Sequence, residues 1–415
     1  MLLRNPAIAR VTFARLIARM GGEAAFVIGV WGMAAYTFRA TPGQIAALMA
    51  VLAVSSMIGA FVAGTLVDRF GPQRVLVGSQ FVYVPVVIAT TLVSSIDGLI
   101  GMCVLLGLAT APIMTATGSF APFLATGDES IAGVNALIEG AGAVAFVIGP
   151  ALGAVVAAAF SVKAVFYVDA ACTAAGALLV LGVSTPPTSA EKPEGLAGLV
   201  EGMKVSYGLA SVRYYVLMGT LLWFSFGAFG ALEPLFYRDV VKTGIETIGY
   251  MNSLFGLGIG CGAYLLTRLP SKFTSARGLA VGAALMGAGA ALYVGTPDLR
   301  VIAVGALFWG TVIGGTEPLL RTLMQSDAPP EYVGRVMGTA QVHRSAGEIV
   351  PLALAPGLAA AFGVQPVMIA GAVIAGLVAM VTIPYAARLD RGRTNARSVS
   401  LVEALSSDDP ISPLS

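Results

Sequence analysis

The chain has 415 residues, of which 57% are hydrophobic and 11% are charged. A water-soluble protein of this composition would have more apolar surface than its interior could bury, so the solvent around it must be lipid. The net charge of +2 and the single histidine indicate neither a nucleic-acid partner nor a zinc or copper site. The three cysteines fall inside apolar runs, so we expect no disulfide, no metal and no cofactor.

Apolar runs of helical length recur along the chain between polar, Gly/Pro-rich or charged breaks. A helix needs about 20 apolar residues to cross the hydrocarbon core, and helical runs rather than short alternating segments argue against a barrel. The first run continues to about Phe38, too long for a signal-peptide core. We predict an all-α membrane protein with twelve transmembrane helices, at residues 11–37, 44–67, 75–96, 99–122, 131–159, 163–183, 213–237, 245–267, 277–296, 300–325, 336–362 and 366–387.

The twelve predicted helices divide into two similar groups of six. Residues of the first group match residues of the second at an offset of 199 to 202, namely Phe38 with Tyr237, Arg69 with Arg268, Pro150 with Pro351 and Phe160 with Phe362. A near-constant offset predicts two pseudo-symmetric six-helix bundles, at residues 1–185 and 213–389. Residues 186–212 predict a linker with an amphipathic helix at the membrane surface. Residues 390–415 predict a polar tail, disordered from Ser398 onward.

The basic residues are distributed unequally between the two sides of the predicted membrane segments. Fifteen fall on the side of the N-terminus and five on the other side, which places both termini and the linker in the cytoplasm. The fifteen are Arg4, Arg10, Arg69, Arg74, Lys192, Lys204, Arg213, Arg268, Lys272, Arg277, Arg335, Arg388, Arg391, Arg393 and Arg397, and the five are Arg39, Lys163, Arg238, Lys242 and Arg300.

The loop between the second and third predicted helices contains two glycines, an acid and two arginines. The glycines permit a tight turn, and the carboxylate can accept hydrogen bonds from a helix end or from an arginine of the other bundle. Such a contact would hold this side closed in one state and break in another. An ordinary polar turn is the alternative. The residues concerned are Gly64, Asp68, Arg69, Gly71 and Arg74, with Arg335 before the eleventh helix as a further member of this gate.

The fifth predicted helix contains Gly140, Gly149, Pro150 and Gly153. Gly149 and Gly153 are four residues apart, so they share a face and allow a neighbouring helix to approach closely. Pro150 frees a backbone carbonyl and bends the helix. The segment can therefore form part of a cleft wall, and close packing without a further role is the alternative.

The Gly64–Arg74 loop resembles the signature of the major facilitator superfamily, and the fifth-helix glycines resemble the motif that this superfamily associates with antiporters. The opening segment, Arg4-Asn5-Pro6 through Gly22-Glu23, is similar to the branch that holds macrolide, tetracycline and siderophore exporters. The resemblance covers about residues 1–390 and implies the major facilitator fold. The sequence departs from the family pattern at Pro72 and Gln73, where basic residues are common, and at Ala154 in place of a glycine.

Several charged residues fall inside predicted membrane helices, where each needs a partner or a water-filled cavity. Arg15, Arg19 and Glu23 share one helix face, and Glu317 with Arg321 and Arg344 with Glu348 are also four residues apart. One interpretation is a set of structural ion pairs. The other, which we favour, is that Glu23 carries the coupled proton, because a low-dielectric cleft favours the neutral form of a carboxylate. Glu139 and Glu233 are secondary candidates, and we expect Asp169 to hydrogen-bond within the helix packing.

Aromatic residues are frequent in the first and seventh predicted helices, which face one another across the cavity in the fold that the resemblance implies. Trp31, Tyr36, Trp223 and Phe226 are candidates for the wall of a cavity that binds a bulky amphipathic ligand. An interfacial belt or lipid-facing packing would use the same residues.

The sequence has no Gly-x4-Gly-Lys-Ser/Thr loop and no nucleotide domain, so an ion gradient is the expected energy source. With the resemblance, this predicts a non-enzymatic, monomeric antiporter of the cell membrane that exchanges protons for drug-like or siderophore-like molecules. An uptake symporter or uniporter for a small metabolite is the alternative, and a non-transporting sensor is a remote one. The expected partners are a small-molecule substrate, protons and the lipid bilayer.

Overall fold

The structure is a computed structural model that describes residues 2–125, 130–183, 185, 195–270 and 273–406, without the side chains of residues 195–199, 225 and 393–406. This part of the chain forms twelve long helices and no strand. Numbered in chain order, they are α1 (Pro6–Thr37), α2 (Pro42–Phe70), α3 (Pro72–Leu92), α4 (Ile96–Gly118), α5 (Ile131–Ala159), α6 (Ala164–Val180), α7 (Ala210–Val241), α8 (Ile245–Leu266), α9 (Ala276–Val294), α10 (Leu299–Asp327), α11 (Val333–Phe362) and α12 (Val364–Ser406).

Ten of these twelve described helices are long and apolar enough to cross a membrane. Of the other two, α6 is apolar but has only 17 residues. Helix α8 has 22 residues, and its five glycines together with Glu246 and Asn252 lower its hydropathy. The predicted all-α architecture of twelve helices is confirmed. Because twelve crossings return the chain to its starting side, both ends lie on one face, here called the terminal face, and the other is the distal face.

The helix boundaries follow from capping residues in the sequence. Helix α2 begins with a reciprocal capping box, in which Thr41 and Gln44 each accept a hydrogen bond from the other's backbone N–H, followed by Pro42 at the first position. It ends at Gly71, whose φ of 82° is a conformation that side chains rarely adopt. Of the two glycines in the Gly64–Arg74 loop, the one at position 71 is therefore required by the backbone conformation.

The helix packing repeats between the two halves of the chain. In the first half, α1 packs on α5 and α6, α2 packs on α4, and α3 packs on α4 and α6. In the second half, α7 packs on α11 and α12, α8 packs on α10, and α9 packs on α10 and α12. Each helix contact in the second half corresponds to one in the first half, with six added to both helix numbers. Helices α1 and α7 both end in π-helical turns, and Arg39 and Lys242 follow with positive φ.

Several pairs of the described helices bring the two bundles together, among them α1 and α8. Helix α5 packs against α8, and α2 packs against α7 and α11. The α5–α8 contact is close because Gly249 lies against Pro150 and Ala154, where a Cβ at residue 249 would be 2.8 Å from the Ala154 Cβ. Small residues allow this approach between helix backbones.

The described part of the linker contains a helix, Gly195–Gly208, that packs on α11. Glu201 forms an ion pair with Arg335 at 3.0 Å, and the Tyr207 hydroxyl lies 2.7 Å from the His343 Nε2. The linker helix is therefore fastened to the second bundle. Lys192 and Lys272, which contribute to the charge asymmetry of the sequence, lie outside the described residues.

Part of the segment predicted as a polar tail belongs to helix α12, and residues 407–415 lie outside the described residues. Helix α12 continues to Ser406, and residues 392–406 include good helix formers and no proline. The Asp390 carboxylate accepts hydrogen bonds of 2.9 Å from the backbone N–H groups of Ala276 and Arg277. It thereby caps the start of α9 and ties the last helix to the bundle.

Candidate transport cavity

A cavity of about 700 Å³ lies between the two bundles. Along α1 its wall extends from Val11, near the terminal face, to Trp31, near the distal face. Leu76 at the start of α3 and Thr117 at the end of α4 also line it. The cavity therefore reaches from the terminal ends of the first-bundle helices almost to the distal face.

The distal side is closed by hydrogen bonds between the bundles. The Arg238 guanidinium, at the end of α7, donates to the carbonyl oxygens of Ala35 and Ala40 at 2.8 and 3.1 Å. Asp239 holds the same guanidinium through two further hydrogen bonds of 2.7 and 2.8 Å. The backbone N–H of Ala151 on α5 donates to the Ser253 Oγ on α8 at 3.0 Å.

The predicted gate on the terminal face is not engaged. The Asp68 side chain is exposed, and no described residue forms a hydrogen bond or ion pair with it. Arg69 lies over the ring of Phe70, 5.2 Å from its centroid, and Arg74 is exposed. Arg335 pairs with Glu201 rather than with Asp68. Because the hydrogen bonds between the bundles lie at the distal side and none of the described residues bonds to Asp68, we infer that the cavity opens toward the terminal face.

Four charged side chains of the first bundle lie around the terminal half of α1. Glu23 is buried and forms an ion pair with Arg19. The Arg15 Nη2 lies 3.9 Å from the Glu139 carboxylate, which is 68% exposed and does not line the cavity. Glu139, a secondary candidate for proton coupling, therefore pairs with an arginine of another helix and lies outside the cavity lining. Both guanidinium groups also contact the Met114 Sδ, at 3.2 and 3.7 Å.

The glycines of α5 form the contact surface for the α1 segment that carries Glu23. A Cβ at Gly149 would lie 2.7 Å from both the Glu23 Cβ and the Met20 carbonyl oxygen, and one at Gly153 would lie 3.0 Å from the Ala24 Cβ. Gly140 differs, because a Cβ there would have no neighbour within 4 Å. The close approach expected for residues 149 and 153 is present, while Gly140 takes no part in it.

A second charged group lies in the second bundle. The Glu317 carboxylate is 3.2 Å from the Arg344 Nη1 and 3.4 Å from the Arg321 Nε. Arg344 also lies over the Trp223 ring, 3.5 Å from its centroid, in a cation–π contact. Arg344 thus pairs with Glu317 of another helix instead of with Glu348, the partner expected from spacing alone. Glu348 itself is exposed and lines the cavity.

The aromatic candidates divide between the cavity and its surroundings. Trp31, Trp223 and Phe226 line the cavity. The Trp31 Nε1 is buried and has no hydrogen-bond partner among the described residues, so it is available to a ligand. Tyr36 does not line the cavity, because it lies beyond Trp31 on the π-helical turn that the distal contacts enclose.

Two further carboxyl groups line the cavity and are hydrogen-bonded by side chains of other helices. The Asp169 Oδ2 accepts from the Tyr83 hydroxyl at 2.7 Å, and its Oδ1 accepts from Thr173 at 3.2 Å. This agrees with the expected role of Asp169 in helix packing. The Glu233 Oε1 accepts from the Tyr293 hydroxyl at 2.6 Å and from the Asn252 amide at 3.2 Å. Sequence reasoning did not identify Tyr83, Tyr293 or Asn252, because they are distant along the chain.

The described residues contain no group of three or more His, Cys, Asp or Glu side chains that could hold a metal ion. The cavity instead presents aromatic rings, carboxyl groups and arginines. Such a surface is suited to a small organic molecule.

Two six-helix bundles around a central cavity that is closed on one side define a membrane transporter rather than an enzyme. The chain belongs to the major facilitator superfamily, because the family description "Major Facilitator Superfamily" matches residues 11–352. It is 27% identical over 413 residues to the protein named "Multidrug efflux pump Tap" of Mycobacterium tuberculosis, covering 93% of this chain and 95% of that protein.

Solved structures show the same fold at lower sequence identity. A mutant of the nucleoside transporter NupG superposes with a TM-score of 0.74 at 11% identity, covering 90% of this chain and 99% of the other. A POT family transporter with bound 5-aminolevulinic acid gives 0.73 at 11% identity, covering 91% and 96%.

Proposed function

We propose that this protein is a proton-driven exporter of drug-like small molecules in the cell membrane. It acts as a monomer with both termini in the cytoplasm, and residues 1–185 rock against residues 213–389 to expose the cavity to each side in turn. The structure then corresponds to the state that is open to the cytoplasm. The observation that carries the proposal is the large aromatic cavity, open at the terminal face and lined by carboxyl groups. The name of the mycobacterial relative supports export.

The proposed coupling proton binds to Glu23. When Glu23 is ionised, Arg19 satisfies its charge, and protonation removes the charge that holds Arg19 in place. The Glu23 backbone segment lies directly against Gly149, and the next residue, Pro150, contacts Gly249 of the other bundle. A shift of α1 on protonation would therefore reach the α5–α8 contact between the bundles through adjoining packed residues.

The proposal predicts that Glu23→Gln abolishes gradient-driven accumulation while the protein remains folded. Proteoliposomes with an acidic lumen would receive external ethidium, a lipophilic cation, and luminal ethidium would be followed over time. We expect wild type to accumulate ethidium. The gradient-dependent rate of accumulation in Glu23→Gln should be at least 10-fold lower, because glutamine cannot exchange a proton.

The matched control for this experiment is Glu246→Gln, which changes an acid in the first turn of α8 outside the cavity lining. Its rate should equal that of wild type. Unchanged pH-dependent accumulation in Glu23→Gln would contradict the assignment of the coupling proton and would favour Glu139 or Glu233.

An uptake symporter or uniporter for a polar metabolite is the second candidate. The observation in its favour is that the Gln80 and Asn252 amides line the cavity, and the buried Gln80 Oε1 has no hydrogen-bond partner among the described residues. A uniporter would equilibrate its substrate across the membrane whether or not a pH gradient is present. A symporter would accumulate it only when the proton gradient runs in the direction of substrate movement.

A further inference from the structure

Glu233 differs from the other acids of the cavity in how its two oxygen atoms are satisfied. It is only 9% exposed. Both of its hydrogen-bond donors, the Tyr293 hydroxyl and the Asn252 amide, donate to Oε1. No described residue donates to Oε2, and no described lysine or arginine forms an ion pair with this carboxylate. An ionised carboxylate in a low-dielectric site without a counterion is costly, and a bound cation would stabilise it.

The remaining acids of the cavity are paired, hydrogen-bonded or exposed. Glu23 is paired with Arg19, and the two oxygens of Asp169 each accept a hydrogen bond from a different hydroxyl group. Glu348 is exposed and lies one helical turn from Arg344. Among the described acids that line the cavity, Glu233 thus combines burial with an oxygen atom that is left for a ligand.

A connected group of aromatic rings adjoins Glu233. Trp309 is its centre, with ring centroids 4.8 Å from Phe229, 5.0 Å from Phe226, 5.0 Å from Phe255 and 5.7 Å from Tyr293. All five rings line the cavity. Because Tyr293 contacts Trp309 and also donates to Glu233, the carboxylate lies at the edge of the ring group.

The same wall already holds a cation at its other end. Arg344 lies over the face of Trp223, whose ring centroid is 4.9 Å from that of Phe226. Aromatic faces attract cations most strongly when water is excluded. The wall is therefore suited to a ligand in which a positive charge is attached to a bulky apolar body.

We propose that Glu233 and the ring group of Phe226, Phe229, Phe255, Tyr293 and Trp309 form a subsite for organic cations. This inference rests on the proposed transport function and specifies the substrate class and the bundle that recognises it. The cationic group lies beside the Glu233 Oε2, and the apolar body packs on the ring group. Recognition thus takes place in the second bundle, whereas the proposed proton site at Glu23 lies in the first.

The test compares two probes of the same shape and opposite charge, tetraphenylphosphonium and tetraphenylborate. Binding to the purified full-length protein in detergent would be measured by equilibrium dialysis, with empty micelles subtracted. We expect wild type to prefer the cation. We expect Glu233→Gln to weaken tetraphenylphosphonium binding at least 10-fold without weakening tetraphenylborate binding, since the shape of the site is retained and only its charge is lost.

Two further variants locate the site. Glu246→Gln, outside the cavity lining, should bind tetraphenylphosphonium as wild type does. Trp309→Leu should weaken binding of both probes, because it removes the centre of the ring group. The proposal is overturned if wild type does not prefer the cation, if Glu233→Gln binds both probes like wild type or loses both equally, or if Glu246→Gln loses cation binding.

This experiment uses no membrane and no gradient, so its result is independent of the coupling assay. Cation binding without gradient-driven accumulation would retain the subsite and contradict the proposed exporter. Accumulation of ethidium together with unchanged tetraphenylphosphonium binding in Glu233→Gln would retain the exporter and contradict the subsite.

Discussion

Gly149→Val is expected to reduce transport at least 10-fold and to lower thermal stability. The new Cβ would lie 2.7 Å from the Glu23 Cβ and from the backbone carbonyl of Met20, closer than real Cβ contacts allow. Helices α1 and α5 would have to separate at the position that carries the proposed proton site. Overpacking of this kind costs about 1–3 kcal/mol, and it would displace the α1 segment that carries the Arg19–Glu23 pair.

The chain provides a matched control in the same motif and helix. A Cβ at Gly140 meets nothing within 4 Å, so Gly140→Val should retain both transport and the midpoint of thermal unfolding. Both variants would be assayed for unfolding in detergent and for ethidium accumulation in proteoliposomes. Equal effects of the two substitutions on transport and on thermal unfolding would contradict the importance of the α1–α5 contact at Gly149.

Arg238→Ala is expected to shift the protein toward a state that is open at the distal face. The substitution removes two hydrogen bonds from a guanidinium to carbonyl oxygens of the first bundle. Hydrogen bonds that involve a charged group contribute about 1.5–3 kcal/mol each, and about 1.4 kcal/mol changes an equilibrium tenfold. The loss of this contact should therefore raise the distal-open population at least 10-fold.

The measurement is the rate at which a membrane-impermeant thiol reagent labels Met49→Cys from the distal side. Met49 lines the distal part of the cavity and lies close to Gly230 of the other bundle. The background would carry serine at positions 103, 172 and 261, and Arg300→Ala, an exposed arginine of the same face, is the control. If Arg238→Ala and Arg300→Ala label at the same rate as the parent, Arg238 does not hold the distal side closed.

The fold could be predicted from the sequence because its main determinants are local. Membrane helices are long apolar runs, and the breaks between them carry the glycines, prolines and charges that end a helix. The pairing of Arg19 with Glu23 and the close packing at Gly149 also follow from helical spacing. Helical spacing does not predict the partner of Arg344, because this arginine pairs with Glu317 of another helix although Glu348 is one turn away.

The surroundings of Glu233 depend on contacts that no local pattern reveals. Asn252 is 19 residues and Tyr293 is 60 residues away in sequence, and only the packing of α7, α8 and α9 brings them together. Glu233 lies four residues before the end of the seventh predicted helix, a position that does not indicate the burial that the structure gives it. Gly140 and Tyr36 likewise matched their patterns in sequence, but the direction of each residue from its helix depends on the tertiary fold.

The most direct test of the account is proton movement driven by substrate alone. Wild-type proteoliposomes with equal pH inside and outside and a luminal pH indicator would receive external ethidium, with protein-free liposomes as the baseline. An antiporter releases luminal protons as the cation enters. We therefore predict that the luminal pH rises in wild-type proteoliposomes and stays constant in those with Glu23→Gln. Ethidium entry without any change in luminal pH, or with acidification, would contradict proton antiport.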